Sequence, residues 1–141
     1  MKASYIKFGL SLYISIVFVQ SLFFKFSGAP ETVYIFGTIG EWAGIYWFAE
    51  YGAYIVGTVE LIASLLLLTG SRILGALAAF GTMAGAVFFH LFTPLGIHMP
   101  EFDGAGNIVG NDGGLLFINA CAILVASIVI IAMELSDKQK L

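Results

Sequence analysis

The sequence predicts an all-α integral membrane protein, a bundle of four transmembrane helices in one domain over residues 1–141. Three observations predict it. The chain is 60% hydrophobic and 11% charged, against about 25% charged in a soluble domain, so too few charges exist to solvate a whole surface. Four stretches approach the roughly 20 apolar residues that a helix needs to cross a bilayer core about 30 Å thick. Lys and Arg, finally, gather on one side of those stretches.

The spans cover approximately residues 6–26, 51–69, 72–93 and 113–134. The first holds a charge-free run over 8–24, the second is interrupted by Glu60, the third carries His90 near its end and the fourth is uncharged. A membrane barrel would need turn signals about every ten residues, and none recur. The first stretch reads as a retained span, because bulky Lys25 and Phe26 precede the small Ser27-Gly28-Ala29 and Pro30 would follow any cut. Lys2, Lys7, Arg72, Lys138 and Lys140 all fall on one face of the membrane when both termini are cytoplasmic. The opposite loops carry Glu31, Glu41, Glu50, Glu101, Asp103 and Asp112, with Lys25 at their edge.

Between the first and second spans, Tyr34, Phe36, Trp42, Tyr46, Trp47, Phe48, Tyr51 and Tyr54 make an aromatic segment suited to the outer headgroup level. Pro30 suits the first turn of a short helix there, with Glu31 favoured by the helix dipole and Gly37 and Gly40 expected to end it. The glycine-rich loop from Pro94 to Asp112 reads as irregular.

Helices in lipid associate where small residues let backbones approach. The expected seams are Gly9, Tyr13 and Gln20 on the first span, and Ala53, Gly57, Glu60 and Ser64 on the second. On the third they are Gly75, Ala79, Thr82, Ala86 and His90, with Gly81 and Gly85 on an adjacent face, and on the fourth Asp112, Asn119, Ala122 and Ala126. At a rise of about 1.5 Å per residue, His90, Gln20, Asn119 and Glu60 lie roughly 4, 7, 9 and 13 Å below the outer surface. The polar groups therefore gather in the outer half.

Glu60 is the most informative of them, since a carboxylate at mid-bilayer costs about 2.5–3.5 kcal/mol and is neutral, paired or functional. It reads either as a proton-accepting or hydrogen-bonding group in a pocket, or as a structural acid bonding Asn119, Gln20 or a backbone carbonyl. Lys25 is expected to snorkel outward; reaching inward to a carboxylate is the alternative. His90 reads as a ligand contact or an anchor for the third helix. His98 stands in the outer loop, not on a facing helix, so haem is not expected. His90, His98, Glu101 and Asp103 match no metal spacing. Cys121 has no partner for a disulfide and reads as a core residue. No phosphate loop, nucleophilic triad or basic stripe for nucleic acid is present.

The chain resembles the DoxX family of small bacterial membrane proteins over nearly its whole length. The resemblance rests on Phe23-Phe24-Lys25-Phe26 followed by Ala29-Pro30-Glu31, and on Asp112-Gly113-Gly114-Leu115-Leu116. Most specific is Glu60-Leu61 followed by Leu65 to Leu68, Thr69-Gly70 and Arg72. It implies a four-helix bundle in the bacterial inner membrane and an accessory place in quinone-coupled sulfur oxidation or other membrane oxidoreductase complexes. Glu60 and Arg72 carry over, and Lys25 more weakly. Unlike other four-helix redox proteins such as vitamin K epoxide reductase, this chain has no cysteine pair for thiol chemistry.

The expected function is that of an accessory subunit of a quinone-linked redox system, without an intrinsic catalytic motif, with Glu60, His90, Gln20, Asn119 and Lys25 as ligand-binding residues and Arg72 and Asp112 as structural ones. A quinone is the one cofactor implied; lipid and other membrane subunits, or further copies of the chain, are the partners. The competing readings are a non-catalytic assembly subunit and a small transporter. The inner half of the bundle lacks the polar groups that an aqueous path needs.

Overall fold

The computed structural model describes residues 2–139, so Lys140 lies outside the described residues. Helix α1 (Lys2–Ser27) leads into α2 (Pro30–Ala43), then α3 (Tyr46–Leu68), α4 (Arg72–Phe92), a hairpin of β1 (Pro100–Phe102) and β2 (Ile108–Asn111), and α5 (Leu115–Lys138). The helices α1, α3, α4 and α5 are each long and apolar enough to cross a membrane. The protein is thus a multi-pass helical bundle, and with four spans both chain ends lie at one end of it.

Around the bundle α1 packs on α3, α3 on α4 and α4 on α5, while α1 and α5 meet less extensively. Helices α3 and α4 approach closely at Gly75, where a Cβ would stand 2.6 Å from the Leu67 backbone nitrogen and 2.7 Å from the Ala63 carbonyl oxygen. Gly57 lets the Phe26 ring onto α3, at 2.7 Å from where its Cβ would be. The core is a column of Ile14 and Phe18, Ala63 and Leu67, Ala76, Ala79 and Met83, and Ala120, Ile123, Ala126 and Ile130. Alanine dominates because dispersion contacts, rather than release of water, drive association in lipid.

The seams expected on α3 and α4 are largely the buried ones: Ala53, Gly57, Glu60 and Ser64 are buried, as are Gly75, Ala79 and His90. On α1 the expected seam is wrong. Gly9, Tyr13 and Gln20 are exposed, and the buried face carries Lys7, Ser11, Ile14, Ser15, Phe18 and Leu22. Seryl hydroxyls are small enough to pack, and the buried face lies on nearly the opposite side of the helix from the one that Gln20 marked. On α5, Ala122 is exposed, and Ile123 and Ser127 are buried in its turn of the helix.

Three corrections concern the far end. Helix α2 runs through Gly37 and Gly40 and stops at Gly44, whose φ of 69° is the left-handed cap that glycine adopts without strain. Gly40 is a packing residue, its missing Cβ leaving room for Ala49. Helix α3 starts at Tyr46, earlier than the apolar run, because its first turns rise past the Phe26–Tyr54 ring stack to meet α2, where Phe36 packs on Phe48 and Gly52. The loop expected to be irregular holds a hairpin, Pro100 opposite Asn111 and Glu101 opposite Gly110. Asp103 closes it by accepting the Ala105 and Asn107 N–H groups, which hold its carboxyl below the ordinary range, the Asn107 bond foremost.

At the end that holds the chain termini, Lys7 bridges Glu134 at 2.9 Å and Asp137 at 2.8 Å, and Arg72 reaches Glu134 at 3.4 Å. This cluster ties α1, α4 and α5 together, and it is where the structure places Arg72.

The two kinds of glycine on α4 should respond oppositely. Gly75→Ala gains helix propensity but must displace backbone of α3, and we expect a net loss of about 1–3 kcal/mol. Gly81→Ala meets no atom within 4 Å and should hold or raise stability by up to about 1 kcal/mol. Thermal unfolding of both variants in detergent micelles checks the contrast.

Candidate functional site

Glu60 is buried on α3 with 2% of its surface exposed. Its Oε2 accepts from Lys25 Nζ at 2.9 Å and from Ser21 Oγ at 3.0 Å. Lys25 also donates to Ser21 Oγ at 2.9 Å. The three groups form a closed triangle between α1 and α3. The expected outward snorkelling of Lys25 is therefore not what occurs. With the acid one helix turn deeper on the neighbouring helix, the ammonium finds its counter-ion inward, which avoids an unpaired carboxylate in a low-dielectric region. Neither of the expected structural partners, Asn119 or Gln20, bonds the acid. Ser21 does, and nothing in the residue type marked it beforehand; only its place four residues before Lys25, on the same helix face, could have.

Beside the triangle lies a cavity of about 790 Å³, within the roughly 300–1,000 Å³ of small-molecule sites. All five helices contribute. Val17, Phe18, Ser21 and Lys25 come from α1, Val59 and Glu60 from α3, Gly81, Gly85 and His90 from α4, and Leu116, Asn119 and Ile123 from α5. Gly81 and Gly85 were expected to mark a packing face. In the structure no atom lies within 4 Å of where their Cβ would be, so together they widen the cavity.

The end far from the chain termini is covered by α2 and the segment after α4. Thr32, Ile35 and Ile39 of α2 line it together with Leu95, Met99 and Glu101, and Ile39, Leu95 and Met99 form a small core of their own. Tyr34 of α2 lies against Phe102 of β1, with ring centroids 6.3 Å apart.

His90 is buried, 5% exposed, and its Nδ1 lies 2.6 Å from the Gly96 carbonyl oxygen. A carbonyl only accepts, so Nδ1 carries a proton, and in the neutral form of such a ring the lone pair lies on Nε2. The Phe117 ring meets the imidazole edge-on at 5.6 Å. Asp112 accepts from the Met99 and Gly114 N–H groups on Oδ1 and from Leu116 on Oδ2, fastening the hairpin to the start of α5. Burial pushes its carboxyl up, but the three N–H donors from Leu116, Met99 and Gly114 outweigh it and hold the carboxyl below its ordinary value.

Of the expected ligand-binding residues, Glu60, His90, Asn119 and Lys25 line one cavity. Gln20 does not: it is exposed on the outer face of α1, about 100° from Ser21. Among the described residues, no group of three or more His, Cys, Asp or Glu side chains is placed to hold a metal ion. Cys121 is free and half-buried, outside the cavity lining.

Compared with known proteins, the chain matches no family model, no curated protein and no solved structure.

Two outcomes follow from this geometry. Lys25→Met should cost about 3 kcal/mol by leaving Glu60 buried without its counter-ion, and Lys25→Met with Glu60→Met should recover most of the loss; unfolding in micelles compares them. Because the folded Asp112 carboxyl titrates below its unfolded value, its stabilisation is complete above that unfolded value and disappears as pH falls through the folded one. Asp112→Asn keeps the Oδ1 bonds but cannot accept from Leu116. It should lower stability by about 1 kcal/mol near neutral pH and flatten the acid limb of a pH–stability profile.

Proposed function

We propose that this chain is a DoxX-type accessory subunit of a quinone-linked redox system in the bacterial cytoplasmic membrane, holding a quinone headgroup in the cavity beside Glu60. The single observation that carries the reading is a buried carboxylate, paired on one oxygen only, on the wall of a largely apolar cavity of about 790 Å³. Such a site suits a ligand with a small polar head and an apolar tail, because the head finds hydrogen-bonding groups while the tail stays among Val17, Val59, Leu77 and Ile123.

Both termini are cytoplasmic in this reading. Lys2, Lys7, Arg72 and Lys138 at the terminal end follow the positive-inside rule, which puts the cavity in the outer leaflet. Lys25, the cation at the opposite end, is committed to Glu60. Glu60 accepts a proton or a hydrogen bond from the headgroup, His90 orients it, and electron transfer belongs to a partner subunit.

A second reading, a non-catalytic assembly subunit, is favoured by a different observation. Trp42, Tyr46, Trp47, Tyr51 and Tyr54 are all exposed near the far end of the bundle, and clustered rings of this kind suit a protein partner as well as the headgroup layer.

Protein purified in mild detergent from its native membrane should carry quinone extractable by organic solvent, and Glu60→Leu should lose at least tenfold of it. Absence of quinone from the folded wild-type protein, together with unchanged quinone-dependent respiration in a deletion strain, removes the first reading. Co-purification of a stoichiometric partner without quinone selects the second.

A further inference from the structure

We infer that the cavity discriminates between the two redox forms of its ligand and holds the reduced, dihydroxy form the more tightly. The inference rests on the quinone reading above and deepens it. It comes from counting which hydrogen-bonding capacity in the cavity is already spent.

Glu60 Oε2 accepts from Lys25 and lies 3.0 Å from Ser21 Oγ, whose one proton is shared with the Phe18 carbonyl at 2.8 Å, while Oε1 has no hydrogen-bond partner and is not sealed off from the cavity. His90 Nδ1 is spent on the Gly96 carbonyl, so the nitrogen left to a ligand is Nε2, a lone-pair acceptor in the neutral ring. Asp112, a further acid lining the cavity, has used its oxygens on three backbone N–H groups. At the mouth stand Glu31 and Glu101, which only accept when ionised. On the donor side, the Thr82 hydroxyl is spent on the Ala78 carbonyl. What remains is the third N–H of Lys25, the Asn119 amide, which both donates and accepts, and the Thr32 hydroxyl, which does the same.

The unspent capacity of the two most buried polar groups is thus accepting capacity. A quinone presents two carbonyl oxygens, which also only accept. Set against Glu60 Oε1 or His90 Nε2, they bring lone pairs to lone pairs and leave a buried carboxylate oxygen and a buried imidazole nitrogen unsatisfied. A hydroquinone presents two O–H groups that donate to those atoms. Its oxygens still accept from Lys25 and Asn119, so the donors in the cavity serve both forms and the acceptors serve only one. Sites built around a ligand hydroxyl discriminate strongly against the analogue that lacks it, for this same reason. The ion pair has a part in it: Lys25 takes up Oε2 and leaves the other oxygen free to accept.

The test uses full-length wild-type protein in phosphatidylcholine nanodiscs, titrated anaerobically with a short-chain benzoquinone, its hydroquinone and the dimethyl ether of that hydroquinone. The hydroquinone should bind at least tenfold more tightly than the quinone, which raises the midpoint potential of the bound two-electron couple by about 30 mV. The dimethyl ether, reduced but without O–H donors, should bind as weakly as the quinone. His90→Phe should bring the ratio of the two affinities toward one, and Glu60→Gln should do the same if the histidine variant does not fold. Equal or tighter binding of the quinone, or a dimethyl ether that binds as well as the hydroquinone, overturns this inference and leaves the quinone site standing. Binding of none of the three overturns both.

Discussion

A carboxylate cannot be left alone among lipid tails, and much of this structure answers to that constraint. Glu60 sits below the C-terminal end of α1, at the level of Ser21, with 2% of its surface exposed. Bare desolvation of such a group costs several kcal/mol, which no single helix contact returns. Lys25 and Ser21 offset that cost on one oxygen, and the geometry they impose fixes the register of α1 against α3. With that register set, Phe26 stacks on Tyr54 and enters the space left by Gly57.

The small residues divide into two populations that composition cannot separate. Gly75, Gly57, Gly52 and Gly40 are places where another element fills the volume of the missing Cβ. Gly81 and Gly85 face open space, and the absence of a side chain there is what keeps the cavity wide. The same residue type thus closes the bundle where helices touch and opens it along one face of α4. The alanine-rich core column shares Phe18, Met83, Ala120 and Ile123 with the cavity wall and continues to Leu67 and Ile130.

What could be read from the sequence tracked the strength of the underlying physics. Runs of about 20 apolar residues leave little choice but spanning helices, and all four were legible, as were the seams on α3 and α4, where glycine and alanine recur at helical spacing around Glu60 and His90. The register of α1 was not. Its polar marker, Gln20, points outward, and the buried face carries Ser11 and Ser15, small polar residues that do not announce a packing face. The direction of Lys25 was also hidden, because one helix alone cannot show that an acid waits on its neighbour. The hairpin escaped notice since strands of three and four residues carry too little alternation to register, although Asp103-Gly104 marks its turn. Glu134 and Asp137 went unnoticed as partners of Lys7 because they are separated from it by nearly the whole chain.

That separation bears on biosynthesis. The two charges that most endanger membrane insertion, on α1 and α3, belong to the first and second spans to emerge, and they neutralise each other as soon as that pair of helices is side by side. The clasp of Lys7 and Arg72 on Glu134 and Asp137 needs α5 and is completed only after that helix has been made. Glu60 therefore finds its counter-ion on the span made just before its own, and its pairing does not wait for α4 or α5.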